Sequence, residues 1–316
     1  MTGRDHDHVT RVMRTVSCDA SAARSRLAAS WQRSFAHHRL DPAAAPPQDR
    51  DTARLAEQEE VLGRLLHVAS PRLDELFSTI GQSGHGVFMT DARGLILRAR
   101  QRAADEADFI RSGLVAGGDW SEEAQGTNGI GTCLTEKRPL IIHRDQHYLA
   151  RNIAMSCIDA PVFDHEGTLI AALDVSSPRA ESDGFNQLIG AMVSGIASKI
   201  EIDLFRDIHS DRQIVLVGDD RAGTALLAVD RDGLVVGATR SARIGCGLAR
   251  QGALRPVPLR DVLGETSEGL SGAEKAALTR ALARANGNVS AAARALGIGR
   301  ATLYRRMKRL GISGAD

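Results

Sequence analysis

Three times in this chain an apolar run is followed by Asp-x-x-Gly and then by a second apolar run, and this pattern constrains the fold more than any other feature. The runs are 86–90 and 95–97 around Asp91 and Gly94, 160–163 and 168–175 around Asp164 and Gly167, and 226–229 and 234–236 around Asp230 and Gly233. Each reads as a β-hairpin: the aspartate can bond the turn backbone, and the glycine can take the left-handed position that closes it. Helical patterns fill the intervals. Leu188, Ile189, Met192, Val193, Ile196 and Ile200 recur at three and four, which predicts a long amphipathic helix over about 185–208, a common place for dimer contacts. Hairpins set among helices give an α+β class with sensor-like domains.

The end of the chain follows a different rule. Leu278, Leu282 and Ala285 predict one helix; a second begins after Asn288, with Ser290 as its cap, and turns Ala292, Ala293 and Leu296 inward. Gly297 suits a sharp corner that needs positive φ, and Ile298 plugs it. A third helix over 300–309 holds Leu303, Met307 and Leu310 against the core. Arg300, Thr302, Tyr304, Arg305, Lys308 and Arg309 are left outside, a set that can enter a major groove and read base edges or phosphates. This is a helix-turn-helix, and its expected partner is double-stranded DNA.

Charge supports the assignment. The whole chain has 40 basic and 39 acidic residues, yet residues 271–316 carry nine Lys/Arg against two acids, leaving the remainder net acidic. A basic module on an acidic body places phosphate contact at one end. No apolar run approaches the roughly 20 residues that span a bilayer, and residues 1–8 are polar, so a cytoplasmic protein without a membrane partner is expected. Cys18, Cys133, Cys157 and Cys246 form no C-x-x-C, which argues for reduced thiols.

No nucleophile, base and orienting group stand at recognisable spacing, so no catalytic residue is assigned. The glycines of 126–131 do not fit G-x-G-x-x-G and follow a polar stretch; they read as a tight turn into a helix at Gly131, with Asn128 and backbone N–H groups as donors if a ligand sits there. His143, His147 and Cys157 have metal-ligand residue types, but 141–143 reads as a strand end that points the histidines apart. Asn128, His143, His147 and Cys157 are therefore assigned to an effector pocket, with no metal and no cofactor. Trp31 is placed in the core by an amphipathic helix over 22–35.

These residues resemble a known family. The terminal motif is similar to the Fis-type helix-turn-helix, and the body resembles the sensory half of the acetoin and glycerol metabolism activators among bacterial enhancer-binding proteins. The markers are Ser30-Trp31-x-Arg33-Ser34, Leu40-Asp41-Pro42, Gly126-Thr127-Asn128-Gly129-Ile130-Gly131-Thr132, His143 to His147, and Cys157 leading into Ala160-Pro161-Val162-Phe163-Asp164. The resemblance implies a GAF sensor domain; the third hairpin is similar to a shortened PAS domain. It divides the chain into an N-terminal helical segment (1–66), a GAF domain (67–209), a PAS-like segment (210–254), a linker (255–270) and the Fis-type module (271–316).

Members of that family carry an ATPase domain between sensor and DNA-binding end, with a G-x-x-x-x-G-K-[ST] phosphate loop. No Gly-Lys pair occurs here, and 255–272 is too short for that domain. The expectation is a homodimeric regulator without ATPase activity, which represses, contacts RNA polymerase directly or recruits a partner regulator. By family analogy its effector is a small alcohol or ketone. A nucleoid-like protein reading DNA shape, and a thiol enzyme using the GAF pocket, are the alternatives.

Overall fold

The computed structural model describes residues 3–18, 23–45, 50–177, 183–220, 223–264 and 269–312. Two units emerge, 1–256 and 257–316.

All three predicted hairpins are present, each built by the same chemistry. Asp91 Oδ1 accepts from the backbone N–H groups of Arg93 and Leu95, Asp164 Oδ1 from those of Glu166 and Thr168, and Asp230 Oδ1 from those of Asp232 and Leu234. Gly94, Gly167 and Gly233 then take φ of 92°, 78° and 79°. The conformation is one that glycine adopts without a Cβ penalty.

The first unit opens with helices α1 (Gly3–Val16), α2 (Arg26–Gln32), α3 (Thr52–Val61) and α4 (Gly63–Ile80). Strands β1 (Gly86–Asp91) and β2 (Ile96–Arg100) follow. Short helices α5 (Glu106–Ser112), α6 (Glu122–Gln125) and α7 (Gly129–Glu136) lead to β3 (Leu140–His143), β4 (Ser156–Phe163), β5 (Leu169–Ser177) and helix α8 (Asp183–Ile208). The five strands form one antiparallel sheet in the order β2-β1-β5-β4-β3.

Strand alternation sorts the sheet into two faces. On one, Val87, Met89, Ile158, Ala160, Val162, Leu173 and Val175 pack against α4 and α8 through Leu66, Leu73, Leu76, Ile189, Val193, Ile196 and Ile200. The opposite face carries Phe88, Cys157 and Ala172 and is covered by Phe109, Leu114, Trp120, Ile130 and Cys133. α8 spans 26 residues, close to the predicted 185–208, and also meets the next sheet.

That sheet contains β6 (Gln213–Asp220), β7 (Gly223–Val229) and β8 (Leu234–Ala238), antiparallel neighbours followed by the short helix α9 (Arg240–Gly245). β6 is not among the predicted strands: it carries the apolar run Ile214 to Val217 but none of the Asp-x-x-Gly turn chemistry beside it, and as an edge strand it leaves Leu216 exposed. The guanidinium of Arg243, 2% exposed, donates to the carbonyls of Ala238, Ala249 and His165 and ties this sheet to the β4–β5 turn.

The second unit ends in helices α10 (Gly269–Arg284), α11 (Val289–Ala295) and α12 (Arg300–Arg309). The segment predicted as linker contains one helical turn, Leu259–Val262. Among the described residues no helix is long and apolar enough to cross a membrane.

Candidate nucleic-acid interface and sensor interior

The helix-turn-helix is assembled as its sequence predicts, with one correction. Asn288, not Ser290, caps α11, its Oδ1 accepting from the Ala291 N–H at 3.0 Å; the cap lies immediately before the first helical residue, and Ser290 is already inside the helix. Gly297 has φ of 67°, and the Ile298 N–H returns to the Ala293 carbonyl at 3.0 Å, closing the corner. Leu278, Ala292, Ala293, Leu303 and Met307 are buried together, with Leu282, Leu296, Ile298 and Leu310 packed against them.

That packing leaves the rest of α12 outside. Arg300, Tyr304, Arg305, Lys308 and Arg309 are exposed and Thr302 half-buried. Arg300 lies over the Tyr304 ring with Cζ 5.6 Å from the centroid, and Arg305 reaches Thr302 Oγ1 at 3.5 Å. Arg306, which the sequence reading passed over, is also exposed; it and Arg309 both pair with Glu274 of α10, at 3.2 Å for Arg306. Glu274 therefore competes with phosphate for two guanidiniums. Glu274→Gln is expected to strengthen binding to random duplex DNA several-fold in low salt and to steepen the slope of log K against log salt by about one. An unchanged slope in a filter-binding titration would show that neither arginine is restrained.

In the first unit, the N-terminal markers lock onto the sensor. Glu122, 4% exposed at the start of α6, accepts two bonds from Arg33, Nε to Oε2 at 2.6 Å and Nη2 to Oε1 at 2.7 Å. Ser30 Oγ donates to Glu122 Oε1 at 2.6 Å and lies 2.7 Å from Thr127 Oγ1; Thr132 Oγ1 adds a bond at 3.3 Å. A carboxylate this buried is held because four donors surround it. Glu122 in turn holds the Arg33 guanidinium protonated, raising its pKa.

Trp31 is 4% exposed, donates to the Gln146 carbonyl at 2.9 Å and is core, as expected. Its helix is shorter than predicted: α2 gives way to a π-helical turn over Arg33–His37, and Ala22 lies outside the described residues. The Leu40 and Pro42 carbonyls accept from the Tyr148 hydroxyl at 2.7 Å and the Ala150 N–H at 2.9 Å.

The four effector candidates have different surroundings. Asn128 is fully buried and caps α7, which starts at Gly129 and not at Gly131: its Oδ1 accepts from the Gly131 N–H at 2.9 Å and its Nδ2 donates to the Gly126 carbonyl at 2.8 Å. Its amide is engaged in making the helix. His143 closes β3 and meets Ser156 and Asn186, while His147, fully buried, turns the other way with Nε2 3.3 Å from Cys157 Sγ. The histidines do point apart. Among the described residues no group of three or more His, Cys, Asp or Glu is placed to hold a metal ion.

His147 and Cys157 begin a buried polar chain that sequence reasoning did not find. Ser176 Oγ lies 3.2 Å from Cys157 Sγ and donates to Asp174 at 2.8 Å. Asp174 stands opposite Asp159 in the β4–β5 register, both at most 1% exposed, and Asp159 has no hydrogen-bond partner other than that facing carboxyl among the described residues. All lie on the face under α7, where a Cβ on Gly129 would fall 2.0 Å from Asp159 Oδ2 and 2.4 Å from Cys157 Cβ, so only glycine lets α7 approach. The available signal was a charged residue inside an otherwise apolar strand, in Ile158-Asp159-Ala160 and Leu173-Asp174-Val175.

Burial sets the protonation of this chain. It lowers the His147 pKa to about 4 and raises Cys157, with Asp174 and Asp159 adding to the latter. The pair is a neutral thiol beside a neutral imidazole, the opposite of an activated thiolate. Burial also pushes Asp174 up to about 7, opposed by its bond from Ser176, and raises Asp159 well above the carboxylate range, with the Asp174 charge reinforcing it. Two carboxyls this close favour sharing a proton.

The sequence matches two family models, the GAF domain over residues 64–204 and the bacterial regulatory protein Fis family over 270–310. The "Acetoin catabolism regulatory protein" of Cupriavidus necator is 31% identical over 289 residues, 84% of this chain and 42% of that protein. The "Acetoin dehydrogenase operon transcriptional activator AcoR" of Bacillus subtilis is 30% identical over 164 residues, 51% of this chain and 27% of that protein. The chain thus spans less than half the length of these curated relatives. Among solved structures, the complex titled "E.coli DhaR(N)-DhaL" aligns with a TM-score of 0.48 and 14% identity, covering 74% of this chain and 80% of that one.

Proposed function

We propose that this chain, a GAF and Fis-type helix-turn-helix protein homologous to the acetoin catabolism regulators, is a sequence-specific DNA-binding transcriptional regulator whose sensor responds to a small molecule. The observation that carries the reading is α12: two side chains of the helix, Leu303 and Met307, are buried, while arginine, lysine, tyrosine and threonine cover its outer surface. A helix anchored in this way can lie in a major groove without unfolding its own module. The protein acts as a homodimer, because two recognition helices about 34 Å apart reach successive major grooves and one such motif contacts few base pairs.

The effector sits on the α7 face of the sensor sheet, against Asp174, Ser176, Cys157 and His147. A shared-proton carboxyl pair can both donate and accept, which suits a small uncharged molecule carrying hydroxyl or carbonyl oxygen, such as a small alcohol or ketone. Differential affinity of that molecule for two dimer arrangements couples sensing to DNA binding. The interval between the two matched segments carries no phosphate-binding loop, so the effector acts by changing how α12 meets DNA or which partner is brought there, RNA polymerase or another regulator.

Selection of binding sites from random duplexes, followed by competition with unselected DNA, tests the reading. A ratio of specific to non-specific affinity of 10³ or more is expected, roughly the lower limit for specific regulators. A ratio near one would make this a shape-reading, nucleoid-like protein. On the selected site, Arg300→Ala should relax preference at one base position at a cost of about 1–3 kcal/mol, and Lys308→Ala should weaken all sequences alike and flatten the salt slope by about 0.9. Equal effects of both on every sequence would refute the assignment of roles.

A further inference from the structure

A polar cavity lies in the first unit, away from the carboxyl pair and beside α8. It is a cleft of about 320 Å³ between α8 with the end of β4 on one side and β7 with the start of α9 on the other. The volume is in the range of small-molecule sites. Ile202, Phe205 and Ile244 give it apolar wall, and Ser194 and Ser198 bring hydroxyls from α8.

Two groups of opposite charge, Glu201 and Arg240, line this cleft without forming an ion pair. Glu201 is half-buried, and its Oε1 accepts the Phe163 N–H at 3.0 Å, where the β4–β5 register shifts between Val162 and Phe163 and frees that donor. Burial raises the Glu201 carboxyl to about 7, with the Phe163 N–H and the positive charge of Arg240 pulling the other way. Arg240 is exposed and stacks on Phe163, its Cζ 4.3 Å from the ring centroid. Among the described residues it forms no ion pair, with Glu201 or any other acid. The wall on which Arg240 sits is held in place by Arg243 and its three carbonyl acceptors.

A half-buried carboxylate short of a cation and a stacked guanidinium short of an anion define complementary ends for one ligand. We propose that this cleft binds a small zwitterion of the α-amino acid class, its ammonium against Glu201 and its carboxylate against Arg240. An amine alone leaves the guanidinium without an anion, and a neutral polyol leaves both charges uncompensated. Bound there, the amino acid bridges α8 to α9 and joins the sensor to the small sheet. The inference is independent of the DNA reading and of the carboxyl pair.

Titration calorimetry of the full chain with each of the twenty amino acids tests it, with ethylamine, propionate and glycerol as probes of single features. At least one amino acid should bind saturably, and the three single-feature probes should not bind at the same concentrations. Glu201→Gln and Arg240→Ala should each weaken that binding tenfold or more, while Asp174→Asn, away from the cleft, should leave it unchanged. Arg240 is exposed, so its variant keeps the fold even where Glu201→Gln does not. Absence of saturable binding by any amino acid, equal binding of ethylamine or glycerol, or unaltered affinity in Arg240→Ala would overturn the proposal.

Discussion

Arg33→Ala is expected to cost about 3 kcal/mol of unfolding free energy, the scale for removing one partner of a buried ion pair. The reason lies in what is left behind. Glu122 would keep Ser30 and Thr132 as donors but lose the one cation bonded to it among the described residues, in a site where its side chain is 3% exposed. Because the pair joins the π-helical turn after α2 to α6 across 89 residues of sequence, the loss should also loosen α1 and α2 from residues 145–150. Urea unfolding measures the first effect, and amide exchange at Trp31 and Ala28 the second. Glu122→Gln in the Arg33→Ala background should recover part of the loss, since a neutral amide is less costly to bury unpaired than a carboxylate. A loss below about 1 kcal/mol, equal to that of an exposed pair, would show that the contact does not hold the segment.

Stability is expected to fall as the pH rises from about 4 to 7, through the carboxyl pair. Asp174 titrates at about 7 in the fold and burial raises Asp159 well above the carboxylate range, while both titrate near 4 in an unfolded chain. In that window the folded state binds more protons than the unfolded state, so stability is lost with rising pH, by about 1.4 kcal/mol per unit for each carboxyl still protonated in the fold. His147 works in the opposite sense: its folded pKa of about 4 lies below the unfolded value, so its contribution grows between 4 and 6.5 and is constant above. It offsets the fall from one carboxyl below pH 6.5, so the net fall is steepest between about 6.5 and 7. Asp174→Asn should remove a large part of the fall and leave the variant more stable than the wild type at pH 8. Superimposable pH profiles from thermal melts of the two proteins would rule out a proton held at this pair.

What could be read in the sequence followed how far apart the cooperating residues lie. Asp91 and Gly94 act within four residues, as do Asp230 and Gly233, and local chemistry alone makes those turns. The helix-turn-helix was legible for the same reason, down to the inward set of α12, and the Ser290 cap was wrong by two positions because both residue types suit a cap. Asp159 and Asp174 were not legible as a pair. Each is a lone acid in its own strand, and only the β4–β5 register makes them neighbours. Likewise Ser30 and Arg33 could be singled out as markers, but nothing near them in sequence names Glu122 as their partner. Asn128 looked like a ligand donor and is a cap, a role its place just before Gly129 is suited to.

The long helix α8 has one further consequence. At 26 residues it is about 39 Å of continuous rod, and both sheets of the first unit rest on it. Inserting or deleting one residue in such a rod turns everything beyond it by about 100°. Ile189 and Val193 under the sensor sheet and Phe205 against the small sheet share one angular frame, so no indel between them leaves both groups in their sockets. Drift in this protein can therefore change the identity of residues along α8 far more readily than their number.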